Sequence, residues 1–140
     1  MIAVVDASVV LKWFLQEPDA EQAIALRDRH FAGETWLAAP DLLLYEVGNA
    51  LRFKHDFTPA DIQAALSDVL LAQLELFGPT ERLLHRAVEL VARTKLTYYD
   101  CLYLAVASDL GAPLITADQR LHAAAGKLVT VRLLHETAAS

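Results

Sequence analysis

Four carboxylates in this 140-residue chain stand where apolar neighbours make a charge expensive. Asp6 directly follows the run Ile2-Ala3-Val4-Val5, and Asp118 comes two residues after Leu114-Ile115-Thr116. Asp100 precedes seven apolar residues, Cys101 to Ala107, and Glu46 lies inside DLLLYEVGNAL, behind three leucines and a tyrosine. Taken singly, each acid has a structural explanation. Asp6 and Asp118 are short polar side chains suited to capping a following helix. Thr97 to Asp100 fits a capping-box variant, and Glu46 fits a solvated helix edge. Brought to one place, however, four acids repel one another unless a cation joins them. An all-oxygen donor set, with no Cys or His at metal-ligand spacing, favours Mg²⁺ or Mn²⁺ over zinc. Such an ion neutralises a phosphate and lowers the pKa of an attacking water, which is the chemistry of phosphodiester hydrolysis. On that reading Asp6, Asp100 and Asp118 hold the ion. Glu46, with a longer side chain on a helix, binds it through water or orients the nucleophile.

Neighbouring residues offer supporting roles, each with an equally ordinary alternative. Ser8 and Asn49 are placed to hydrogen-bond the carboxylates or a bound water, or else are a helix-start serine and an interior polar contact. Lys12 stands a turn and a half beyond Asp6, within reach of a substrate phosphate. Arg52 and Lys54 end the Glu46 helix, where either RNA binding or the helix dipole accounts for them. Tyr98 and Tyr99 are candidates for stacking on unpaired bases. Trp13, Phe14, Trp36, Phe53 and Tyr103 read as core or interface aromatics. The five histidines show no metal-ligand spacing and are assigned to the surface.

The elements that must position these groups alternate along the chain. Apolar runs and helical periodicity predict strands at 2–5, 36–39, 74–77, 113–116 and 128–131, with helices at 7–15, 18–31, 41–54, 58–72, 80–95, 98–110 and 118–125. Pro18, Pro40, Pro59, Pro79 and Pro113 fall at the junctions, and Gly111 stands where the helix ending near Leu110 must stop. Short strands separated by helices predict a three-layer α/β/α sandwich with a mostly parallel sheet. In such a sheet Asp6 and Asp118 both lie beyond strand carboxyl ends, where ligands collect.

Composition narrows the class further. The length suits one domain, assigned to 1–134, with 135–140 as a loose tail. Hydrophobic residues make up 55%, enough to supply an apolar surface for a partner as well as a core. A single cysteine, Cys101, excludes an internal disulfide and reads as a buried filler. No apolar run approaches the roughly 18 residues of a membrane span, so a soluble, cytoplasmic protein is expected. The formal charge of −6 argues against a generic nucleic-acid coat but not against a nuclease, whose carboxylates are offset by ions that the tally omits.

Three stretches, VVDASVVLKWFLQEP, PDLLLYEVGNAL and TYYDCLYLAVASDLGAPLITADQRL, together resemble a PIN-domain nuclease of the VapC toxin type. The resemblance spans nearly the whole chain. It implies Asp6, Glu46, Asp100 and Asp118 as an acidic quartet, with Ser8 and Thr116 as polar neighbours. It also implies a five-stranded sheet, homodimers, RNA cleavage and inhibition by a VapB-type antitoxin. Cys101 departs from the alanine more usual at that position.

Two rival classes remain. An aspartate after a first strand suits an aspartyl-phosphate enzyme, although the haloacid-dehalogenase type wants a second aspartate where Ser8 stands. A binding scaffold, with the acids as caps and an apolar docking face, is the other; helix 58–72, with Ile62, Leu66, Val69 and Leu70, is the expected face for dimer and antitoxin. Nucleotide-binding and serine-hydrolase motifs are missing from the sequence.

Overall fold

Ala3, Val4 and Val5 are consecutive in one strand and all completely buried. Because successive strand residues point to opposite sides, both faces of their sheet must be covered. The computed structural model describes residues 1–139 and shows how. Strand β1 (Ile2–Val5) pairs in parallel with β2 (Trp36–Pro40) on one side and with β4 (Leu114–Thr116) on the other. Strand β3 (Glu75–Phe77) pairs with β2, and β5 (Val131–Leu133) with β4, giving the all-parallel order β3-β2-β1-β4-β5. Parallel neighbours need long crossovers. Here these are α1 (Ala7–Leu11), α2 (Ala20–Phe31), α3 (Leu42–Leu51), α4 (Pro59–Leu71), α5 (Glu81–Thr94), α6 (Tyr98–Leu110) and α7 (Gln119–Ala125). The expected five-stranded α/β/α sandwich is the observed one.

Helix α6 is the central packing element. Cys101 and Tyr103 through Ala107 are buried, and the helix lies against α5 as well as β1, β2 and β4. Its ends follow from local chemistry. Thr97 caps the start by accepting the Asp100 amide N–H at 3.1 Å. Gly111 closes the other end in the left-handed conformation, φ 62°, with the Ala112 amide returning to the Ala107 carbonyl at 3.0 Å.

Some expected boundaries move. The first helix ends at Leu11 instead of 15, dissolving into turns that bury Trp13, whose indole donates to the Ala23 carbonyl at 3.0 Å. The last strand starts at Val131, not 128, because Leu128 and Val129 spend their amides on the Ala125 carbonyl at the end of α7. A 3₁₀ turn, Leu134–Glu136, follows β5. The expected tail lies at 135–140, of which Ser140 is outside the described residues. The surface assignment of all five histidines is also corrected for one. His30 is buried; its Nδ1 accepts the Leu37 amide at 3.1 Å, so the Nε2 proton is donated to the Ala72 carbonyl at 2.7 Å. Trp36 and Phe53, by contrast, are exposed and not core.

Candidate active site

Strand order reverses beside β1: β2 and β3 extend to one side, β4 and β5 to the other. The crevice past the carboxyl ends of β1 and β4 is therefore the switch point of the sheet. Val5 is in register with Ile115, which sets Asp6 beside Thr116. Thr116 donates its hydroxyl to Asp6 Oδ2 at 2.5 Å, and Ser8 donates both its hydroxyl (2.5 Å) and its amide (3.1 Å) to Oδ1. The two hydroxyls then accept from the next turn, Ser8 Oγ from the Ala117 amide and Thr116 Oγ1 from the Asp118 amide, each at 3.0 Å. Asp6 is thus a helix cap and the floor of the crevice together. Burial, only partly offset by Ser8 and Thr116, raises its pKa to about 6, and the nearby charge of Asp100 pushes the same way.

Glu46 projects from α3 toward α6. Tyr103 donates its hydroxyl to Glu46 Oε1 at 2.6 Å. One turn back on the same helix face stands Asp100. Burial raises the Glu46 pKa, Tyr103 lowers it, and Asp100 raises it again. The Tyr103 hydroxyl itself is held protonated far above its ordinary range, first by burial and then by the charges of Glu46, Asp6 and Asp100. Of the expected acids, Glu46 is bonded to this phenol, and the charges of Asp6 and Asp100 also act on it. Sequence reading classed Tyr103 as a packing aromatic; its spacing of three from Asp100 was the available signal.

Asp118 divides its two oxygens. Oδ1 caps α7, accepting the amides of Arg120 (2.9 Å) and Leu121 (3.2 Å). Oδ2 accepts Arg120 Nη2 at 3.1 Å, and the same nitrogen donates to Asp100 Oδ2, also at 3.1 Å. Asp100 accordingly does not complete the capping box with Thr97; its carboxylate turns to Arg120. Arg120 was not foreseen, although it lies two residues past Asp118 in ITADQRL.

Other expected groups are not brought to these acids. Asn49 is exposed and accepts Arg52 Nε at 2.8 Å, while the Arg52 guanidinium lies 3.8 Å over the Phe53 ring. Lys12 is buried and paired with Glu17 at 3.0 Å, which removes it from the surface that a phosphate would approach. Tyr98 is half-buried, its hydroxyl turned to the Leu84 carbonyl, whereas Tyr99 beside it is exposed.

A protein-family model described as PIN domain matches residues 3–127. The chain belongs to the PIN-domain family. Among relatives, Ribonuclease VapC1 of Mycobacterium tuberculosis is 34% identical over 134 residues, which cover 94% of this PIN domain chain and 96% of that protein. Ribonuclease VapC3 of Pyrobaculum aerophilum is 31% identical over 135 residues, 93% and 99% of the two chains. Solved structures share the fold at lower identity. FitAB bound to an IR36 DNA fragment superposes with a TM-score of 0.73 at 15% identity, covering 99% of this chain and 98% of that one. VapBC2 from Rickettsia felis, bound to a promoter DNA fragment, gives 0.72 at 16%, with 95% and 98% covered.

The donor set of this PIN domain is hard and all-oxygen, which suits a divalent Mg²⁺ or Mn²⁺ ion. A cation already bridges two of its members, the guanidinium of Arg120 between Asp100 and Asp118. As the side chains stand, no three carboxylates among the described residues close around a single point.

Proposed function

We propose that this PIN domain is an endoribonuclease that hydrolyses RNA phosphodiester bonds with Mg²⁺ or Mn²⁺, and that it is the toxin of a VapBC-type toxin–antitoxin pair. The observation that carries the reading is the buried carboxylate Asp6 at the sheet's switch point, held by Ser8 and Thr116, with Glu46 bonded to the Tyr103 phenol. Capping alone does not call for a charge at this position, since Asn caps a helix as well as Asp does. Full-length similarity to two ribonucleases supports the substrate class.

In the mechanism that follows, Asp6 is aimed by Ser8 and Thr116, which occupy both its oxygens on one side. Asp100 on α6 and Asp118 in the β4–α7 turn present their Oδ2 atoms to Arg120. Asp6, Asp100 and Asp118 would hold a divalent ion, which when bound would supply charge to offset the phosphate and acidity to an attacking water. Glu46 keeps Oε2 free while Oε1 is fixed by Tyr103, so it orients that water and takes up its proton.

The partner reading rests on apolar surface. Leu70 and Leu71 at the end of α4 and Phe31 at the end of α2 are exposed, Leu71 by 78%. Trp13, Phe14, Arg27, Phe31, Asp68 and Leu71 line a cavity of about 250 Å³ between these helices. This modifies the expected docking face, because Val69 is buried and Ile62 and Leu66 pack against the core, leaving Leu70 and Leu71 outward. A VapB-type antitoxin seats its apolar segment there, and homodimerisation covers further apolar side chains such as Tyr45 and Val88. The test is cleavage of single-stranded RNA in millimolar Mg²⁺ or Mn²⁺, repeated in excess EDTA and with Asp6→Asn. Undiminished cutting in EDTA rejects the metal mechanism, and undiminished cutting by the variant rejects the site. Light scattering that finds a monomer at micromolar concentration rejects the dimer.

A further inference from the structure

We propose that Arg120 is an internal counter-ion of the site, which clasps Asp100 to Asp118 in the metal-free protein and must be displaced for a divalent ion to bind. The inference rests on the metal-dependent reading above and names the regulation of that same site.

Asp118 Oδ1 is committed to two backbone amides of α7, so Oδ2 alone is left to ligate. That oxygen is the one Arg120 Nη2 holds at 3.1 Å. Asp100 meets the same nitrogen through Oδ2, at the same distance. A single Nη2 therefore ties two carboxylates carried by different elements, α6 and the turn before α7, much as a bridging cation does. With the clasp closed, no three acidic side chains reach one point. With it open, Asp100 and Asp118 are two unpaired charges beside Asp6, and only a cation restores the balance. The clasp is also cheap to open: Arg120 is 61% exposed, so its guanidinium moves into water with little loss.

Competition of this kind has a measurable sign. Chelator-stripped wild type, Arg120→Gln and Arg120→Lys are titrated with Mn²⁺ alone, following the EPR signal of the free ion. Arg120→Gln is expected to bind Mn²⁺ about three- to tenfold more tightly than wild type, the range given by losing two exposed pairs. Arg120→Lys keeps the charge but carries it one bond short of the Nη2 position, and is expected to bind about two- to threefold more tightly. In parallel, Mg²⁺ titration of the wild type is expected to shift the Arg120 Nε–Hε NMR resonance with the midpoint of metal binding. Equal or weaker Mn²⁺ affinity in Arg120→Gln overturns the proposal. So does Arg120→Lys matching wild type, since diffuse positive charge then accounts for any gain. Failure of all three proteins to bind millimolar Mn²⁺ instead overturns the metal reading itself, and this proposal with it.

Discussion

Asp6 carries two roles at once, and its stability effects separate them. A carboxyl whose folded pKa is raised to about 6 binds its proton more readily in the folded state than in the unfolded chain. Its contribution is therefore favourable below the unfolded value near 4, and is lost as pH rises through 6. In chelator, Asp6→Asn removes that penalty while keeping the cap. We expect the variant to be more stable than wild type at pH 7.5, by up to about 3 kcal/mol, and the gap to shrink toward pH 4.5. Paired thermal melts across that range decide it; a gap that stays constant with pH rules out a buried ionisation. Tyr103→Phe probes the neighbouring acid. Removing the hydrogen bond to Glu46 should cost about 1–2 kcal/mol at pH 7.5 in urea unfolding, and less toward acid pH, since burial raises the Glu46 pKa and a protonated carboxyl is a weaker acceptor. Equal losses at neutral and acid pH would mean that packing, not the hydrogen bond, is what the hydroxyl contributes.

At the scale of elements, the ends of helices do most of the positioning. Thr97 and Asp118 cap α6 and α7, and those same turns bring Asp100 and Asp118 Oδ2 together on Arg120. Sequence reading offered capping and site chemistry as alternatives; in Asp118 one carboxylate oxygen caps α7 and the other accepts Arg120. Helix α2 is joined to the sheet differently, by the His30 ring between Leu37 of β2 and Ala72 after α4. His30→Ala leaves a buried amide and a buried carbonyl unpaired, for an expected loss of about 3 kcal/mol in urea unfolding. A loss below about 1 kcal/mol would show that water replaces the ring. No spacing rule exposes such a residue beforehand, because its partners are 7 and 42 positions away.

For the molecule as a whole, the proposed metal site links ion binding to folding. If the crevice binds its ion only when folded, metal at about ten times its dissociation constant should stabilise wild type by roughly 1.4 kcal/mol, a rise of a few degrees in Tm. Asp6→Asn should lose most of that rise. Identical metal-dependent shifts in both proteins would place the ion elsewhere. No helix among the described residues is long and apolar enough to cross a membrane.

The sequence alone determined the order and type of the elements, because period and punctuation are local: alternation of apolar runs, prolines at junctions, Gly111 after α6, Thr97 three residues before Asp100. It also singled out the four acids, since a charge among apolar residues is visible without coordinates. It could not say which hydroxyl or phenol holds each acid, that Lys12 is spent on Glu17, or that Asn49 turns away toward Arg52. Those outcomes depend on the parallel register of β1 with β4 and on the angle at which α3 meets α6. Hydrogen bonds and ion pairs act over about 3 Å, so partners such as Glu46 and Tyr103, 57 residues apart, or Asp100 and Arg120, 20 apart, are chosen only when the chain closes in three dimensions.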